Sequence, residues 1–262
     1  MTTDKFYYSH EILEKPIGEV NIKSSAMSVV STDSTTPTLV GGSSFKPGAT
    51  LDIAARGIGT FRFPLPSSEL EILVYHSDGT LAYTSTRAKR SSGNSVLSHA
   101  KLGDLISTTY KFGPNREPVL RLMQSPGHEY GEEDEVKVKG RWTSRATSFS
   151  TPDGRTFDWS YAKSKDANGK RVNLIALRES SGSEEPEGKI LAQLVRGQDS
   201  RTPGSSRCTA GNGGQLIFDQ DATSIVDESL IVATCLMMLK KEIDRRRATQ
   251  MAIIMGAASG GS

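Results

Sequence analysis

The sequence predicts a mainly β chain whose antiparallel strands close into a barrel around a C-terminal hydrophobic helix. Three observations lead there. Short runs rich in β-branched and aromatic residues recur along the chain, many at the spacing of about 8–12 residues found in sandwiches and barrels. Two pairs of such runs are joined through Asp-Gly, the strongest short-range hairpin signal, because glycine takes the positive φ of a tight turn. The stretch LIVATCLMML, Leu230 to Leu239, is apolar on every side of a helix, and such a helix must be surrounded by protein.

Taken in order, Ser24 to Ser44 holds eleven Ser or Thr in 21 residues. Such a segment buries too little apolar surface to offset its ordering entropy. Residues 1–55 are therefore expected to be largely flexible, with the barrel over 56–255. The first hairpin is Glu69–Tyr75 and Thr80–Thr86 around Asp78-Gly79; the second is Ala146–Ser150 and Arg155–Tyr161 around Asp153-Gly154. Between them lie Leu105–Phe112, Pro118–Met123 and Glu135–Lys139. After them come Arg171–Leu177, Lys189–Arg196 and Gly214–Asp219. The central helix is expected over about 227–250, capped by Asp227, with Glu228 suited to the positive end of its dipole. Beyond Leu239 it reads KKEIDRRRATQ, too polar to be enclosed, so it should leave the barrel there. Residues 256–262 are expected to form a flexible tail. Alternating strand–helix units and repeats of 20–50 residues are absent from the pattern, which argues against doubly wound, propeller and solenoid folds.

Composition excludes several classes. The 262 residues carry 32 basic and 30 acidic side chains, evenly distributed, so bulk attraction to nucleic acid has no support. Two cysteines, Cys208 and Cys235, cannot build a disulfide-dense scaffold or a four-cysteine zinc site. The four histidines are scattered, and neither a metal nor a cofactor is expected. Ten apolar residues fall well short of the roughly 20 of a spanning helix, and the first twenty residues lack the features of a secretory signal. A cytoplasmic protein, at most peripheral at membranes, is the expectation.

Four passages, STTYKFGPNREPVLRL (Ser107–Leu122), DGRTFDWSY (Asp153–Tyr161), AGNGGQL (Ala210–Leu216) and IVATCLMMLKKEIDRRRATQ (Ile231–Gln250), resemble the tubby C-terminal-like group. That group includes tubby domains, LURP-one-related and phospholipid scramblase-like proteins; more specifically, the chain resembles uncharacterised fungal proteins placed in this group. The resemblance spans about residues 60–255. It implies a barrel of about twelve strands around the helix and binding rather than catalysis, with phosphoinositide-rich membranes as partners of some members. No tubby-type lipid-binding motif matches residue by residue, so no lipid contact is carried over.

The residues offer few chemical groups. Cys208, beside Arg207, would need a histidine base to act as a nucleophile, and a loop thiol is the simpler expectation; Cys235 reads as a core side chain. Gly211-Asn212-Gly213-Gly214 lacks the Lys-Ser/Thr of a phosphate loop and precedes a strand, which favours a turn. The run His128–Glu135 lacks the ligand alternation of a calcium loop and suits a solvated surface. Phe157, Trp159 and Tyr161 share one strand face and are expected in the core. The candidate lipid- or anion-binding residues are Lys240, Lys241, Arg245, Arg246 and Arg247, with Met251, Ala252 and Met255 dipping into a headgroup layer. Against this stands a purely structural role, in which the same residues complement the helix dipole, stop the helix sliding inward and pair Glu242 with Arg246. The expected function is thus a non-enzymatic binding or scaffold protein docking on anionic membranes. The alternatives are a protein-interaction module without lipid contact and a thiol enzyme at Cys208.

Overall fold

The computed structural model describes residues 45–60, 63–111, 117–123, 135–140, 145–165, 171–180 and 188–259. Twelve strands run antiparallel to their neighbours in chain order. They are β1 Pro47–Ile53, β2 Glu71–His76, β3 Leu81–Thr86, β4 Ser95–His99, β5 Gly103–Thr109, β6 Val119–Leu122, β7 Glu135–Gly140, β8 Thr147–Ser150, β9 Thr156–Lys165, β10 Arg171–Glu179, β11 Ile190–Arg196 and β12 Gly214–Asp219. Strand β1 pairs with both β2 and β12, through Leu51↔His76 and Leu51↔Leu216, and so closes the barrel. Closure removes the sheet edges, which would otherwise be free to pair with other chains.

The two Asp-Gly hairpins form as expected. Gly79 and Gly154 have φ of +82° and +83°, and Asp78 accepts hydrogen bonds from the Thr80 backbone N–H and hydroxyl. The remaining expected strands also form. Two strands were missed for a physical reason: β1 (PGATLDI) and β4 (SVLSH) are short of apolar residues, and each is held by pairing on both sides rather than by its own pattern. The barrel therefore begins at Pro47, ahead of the expected boundary at 56. The Ser24–Ser44 segment and the His128–Asp134 run lie outside the described residues.

A four-residue helix, α1 Ala222–Ile225, leads from β12 into α2 Glu228–Ser259. Asp227 caps α2, its Oδ1 accepting from the Ser229 N–H at 2.7 Å. From Leu230 to Leu239 every residue of the helix is buried. This stretch packs within one core cluster that draws residues from every strand, including Ile53, Leu97, Ile106, Leu120, Val138, Phe149, Trp159, Leu177 and Phe218. Two polar side chains at the enclosed helix partner each other: Trp159 Nε1 donates to Thr234 Oγ1 at 3.0 Å, and that hydroxyl donates to the Leu230 carbonyl at 2.8 Å. Cys235 is fully buried, and burial pushes its thiol up to about 12, which fits an inert core side chain. The helix enters beside the β2–β3, β4–β5 and β8–β9 turns, where Tyr83 donates to Glu228 and Arg155 to the Ile225 carbonyl. It leaves at the opposite end and continues to Ser259, beyond the expected stop near 250. No proline interrupts MAIIMGAAS, and its Ala, Met and Ile residues sustain the helix, so the expected tail at 256 begins no earlier than 260.

Candidate functional site

The exit end of α2 gathers most of the charge that the sequence singled out. On leaving the barrel the helix threads a collar made by described parts of the β1–β2 connection (54–60 and 63–70) and by the β11–β12 connection (197–213). Arg246 donates to Thr60 Oγ1 at 2.7 Å and to the Cys208 carbonyl at 3.1 Å. Gln250 donates to the Thr60 carbonyl at 2.9 Å, and Arg247 Nε to the Pro64 carbonyl at 3.3 Å. The glycine run follows from this threading. Gly211 adopts φ +72°, and a Cβ there would lie 2.4 Å from Ile243 Cγ1 and 2.7 Å from the Leu239 carbonyl, so the loop reaches the helix only without a side chain. Its N–H donates to Glu242 Oε2 at 2.8 Å. The anion on this loop is an internal carboxylate.

Glu242 is the keystone of the collar. It pairs with Arg196 at 2.7 and 3.0 Å, not with Arg246 as the helical spacing suggests. Arg196, at the end of β11, and Glu242 are 8 % and 12 % exposed, so this is a buried bidentate pair. Burial alone would raise the Glu242 carboxyl; the Arg196 guanidinium and the Gly211 N–H outweigh it and hold the group below its usual range.

Beside this pair opens a cleft of about 610 Å³. Five further cations line it: Arg145 before β8, Lys163 on β9, Arg207, and Arg245 and Arg246 of α2. None of the five is ion-paired with a carboxylate among the described residues. Arg145 lies over the Tyr161 ring at 5.9 Å, and its carbonyl accepts from Arg245 at 3.3 Å. Burial, then the Glu242 charge, pushes the Tyr161 phenol up. Five like charges converging on one concavity raise its potential and draw anions to it.

The five residues singled out from sequence thus divide. Arg245 and Arg246 reach the cleft. Lys240 turns inward, donates to Asp244 Oδ1 at 2.6 Å and sits over Tyr110 at 4.9 Å; burial lowers its pKa while Asp244 opposes the change. Arg247 lies 3.6 Å from the same carboxylate. Lys241 faces the end of β7 near Gly140, pushed down to about 8 by burial and by Arg245. Arg145 and Lys163 were missed, and Arg207 was read only as a neighbour of Cys208, because each lies far from the basic run in sequence and only barrel closure brings it to α2.

Cys208 is exposed in the cleft wall. His76 and His99 end β2 and β4 at the entry end, across the barrel from it; His10 and His128 lie outside the described residues. Among the described residues no group of three or more His, Cys, Asp or Glu is placed to hold a metal ion, and no helix is long and apolar enough to cross a membrane. Comparison with protein-family models, curated proteins and solved structures finds no match.

Proposed function

We propose that the protein is a non-enzymatic binding protein that docks reversibly on anionic membranes, those containing phosphoinositides included, through the barrel end from which α2 emerges. The observation that carries this reading is the cleft lined by five cations that pair with no carboxylate among the described residues. An isolated basic run on a helix is commonly a solvated face or a cap. Cations from four separate stretches of chain that meet in one concavity are harder to explain that way, since their mutual repulsion costs stability unless an anion relieves it. Basic residues near an anionic leaflet contribute about 1 kcal/mol each, so five give about 5 kcal/mol before losses from distance and screening. Such an attachment is reversible and salt-sensitive. The resemblance to the tubby-like group adds the same expectation from the sequence side.

The test is flotation of the purified protein with vesicles that are neutral, contain phosphatidylserine, or contain phosphoinositides, at about 0.05 and 0.3 M salt. We expect binding to anionic vesicles only, weakened at high salt. Changing Arg145, Arg207 and Arg245 together to Gln should lower the affinity roughly a hundredfold, from about 1 kcal/mol per charge, with the melting temperature little changed. No binding at low salt would remove the membrane reading and leave a protein partner for the cleft.

A further inference from the structure

We infer that the emergent tip of α2, with Phe63 and Leu65 beside it, is an apolar wedge that enters the headgroup–acyl boundary of the membrane held by the basic cleft. The inference rests on the docking proposed above and supplies what that docking lacks, an attachment that salt does not screen. From Met251 to Ala258 every residue of the helix is exposed. Ile253 and Met255 are 66 % and 67 % exposed, and Met251 and Ile254 nearly half. Phe63 and Leu65, in the collar, are 76 % and 61 % exposed. The hydrogen bonds of Arg247 to Pro64 and Gln250 to Thr60 tie this part of the collar along the last embraced turn. Positions 247, 251, 254 and 255 share a side by i, i+3, i+4 spacing. Phe63 and Leu65 therefore flank the side on which Met251 and Ile254 continue outward. Large apolar side chains grouped in this way mark an interaction site rather than ordinary surface.

Charge and shape select the occupant. The apolar tip projects outward from the same end of the barrel as the five cleft cations, so its counterpart must be apolar beneath and anionic above. Ile253, two positions from Met251 and Met255, faces away from them, which presents apolar surface on more than one side of the helix. A fluid hydrocarbon layer accommodates that; a single flat protein face does not. The depth follows from geometry. Nine residues from Met251 to Ser259 extend about 13 Å, enough to pass the headgroups. Interfacial helices settle about 5–10 Å into the headgroup–acyl boundary, and the wedge is placed at that shallow level.

The experiment places a reporter at the tip, Met255→Trp, and measures emission on anionic and neutral vesicles, with and without brominated lipid. A blue shift and quenching by brominated lipid on anionic vesicles only is the expected result. The double substitution Met251→Asp with Met255→Asp, on exposed positions that should leave melting unchanged, is expected to weaken vesicle binding at least tenfold. It should also abolish the binding that the parent retains at about 0.3 M salt, where charges are screened. A bound protein whose tip reporter shows neither blue shift nor quenching, or a double variant that binds like the parent, overturns the wedge while leaving the electrostatic dock standing. A parent that binds no anionic vesicle overturns the dock, and the wedge with it. Dimerisation in solution that the double variant abolishes would assign the tip to a second copy of the chain instead.

Discussion

The two halves of α2 obey opposite rules, although no break in the backbone separates them. Leu230 to Leu239 carries no charge and is buried throughout. From Lys240 onward the same helix holds ion pairs, caps collar carbonyls, lines a cleft and finally stands free in solvent. The first half has no preferred face because the barrel surrounds it; its sequence is constrained by volume and by the exclusion of charge. Each residue of the second half faces something different: Lys240 the interior, Lys241 β7, Glu242 the glycine loop, Arg245 and Arg246 the cleft, Met255 the solvent. Enclosure makes a helix legible as a block. Emergence makes it legible only residue by residue, once its neighbours are placed.

The sharpest contrast is obtained by putting the same charge on each half. Ile231 is fully buried and Ile253 is 66 % exposed. A carboxylate at Ile231 has no partner, and burying it costs more than about 4 kcal/mol. Thermal unfolding of Ile231→Asp should show a melting temperature at least about 10 °C below the parent, or no folded protein. Ile253→Asp should melt within about 2 °C of the parent. If both variants melted alike, the helix would not be the core of this barrel.

The Arg196–Glu242 pair joins the two regimes, since it fixes the emerging turn to β11 while buried in the collar. Arg196→Met leaves Glu242 without its ion-pair partner, and breaking a buried pair from one side costs about 3–5 kcal/mol. Acid gives a second readout. In the parent the folded Glu242 carboxyl lies below its ordinary value. Its contribution to stability is therefore present above the ordinary glutamate pKa of about 4.3 and lost as pH falls through the folded value. Without Arg196, burial dominates and the carboxyl titrates above its ordinary value. The deficit of the variant should then be largest near neutral pH and shrink toward pH 4, as measured by urea unfolding across that range. A deficit that did not vary with pH would mean that Arg196 acts through packing alone.

This pair also marks where sequence reasoning stops. Ten strands, both Asp-Gly hairpins and the enclosed helix were legible, because each rests on a local pattern: alternation, turn chemistry, or apolarity on all sides. β1 and β4 were not, since their Ser, Thr, Gly and Ala residues become strand only through the neighbours that pair with them. The candidate site was half legible. Arg245 and Arg246 stood out within a basic run, whereas Arg145, Lys163 and Arg207 reach the cleft from three separate stretches of the chain. Local spacing offered Glu242 a partner in Arg246, and the long-range pairing with Arg196 prevailed because the collar excludes water from it. The wedge combines Met251 and Met255, visible in sequence, with Phe63 and Leu65, which only the collar brings alongside.

The smallest effect tests whether the basic run has parts without a share in the cleft. Lys241 adjoins Arg245 in that run, yet it turns toward β7, and burial first, then Arg245, pushes its amine down to about 8. A lysine whose folded pKa is lowered opposes folding while it is charged. That penalty is fully present below about pH 8 and is relieved as pH rises toward the ordinary lysine value of about 10.4. Lys241→Met keeps the aliphatic stem and removes the charge. It should raise the melting temperature slightly at pH 7, with the gain diminishing above pH 8 as the parent lysine loses its own proton. Binding to anionic vesicles should stay within about twofold of the parent, whereas loss of a cation that meets the membrane would cost about fivefold, from about 1 kcal/mol per charge. A variant that bound fivefold more weakly without gaining stability would place Lys241 with Arg245 and Arg246 at the membrane, and the docking surface would extend from the cleft across the end of β7.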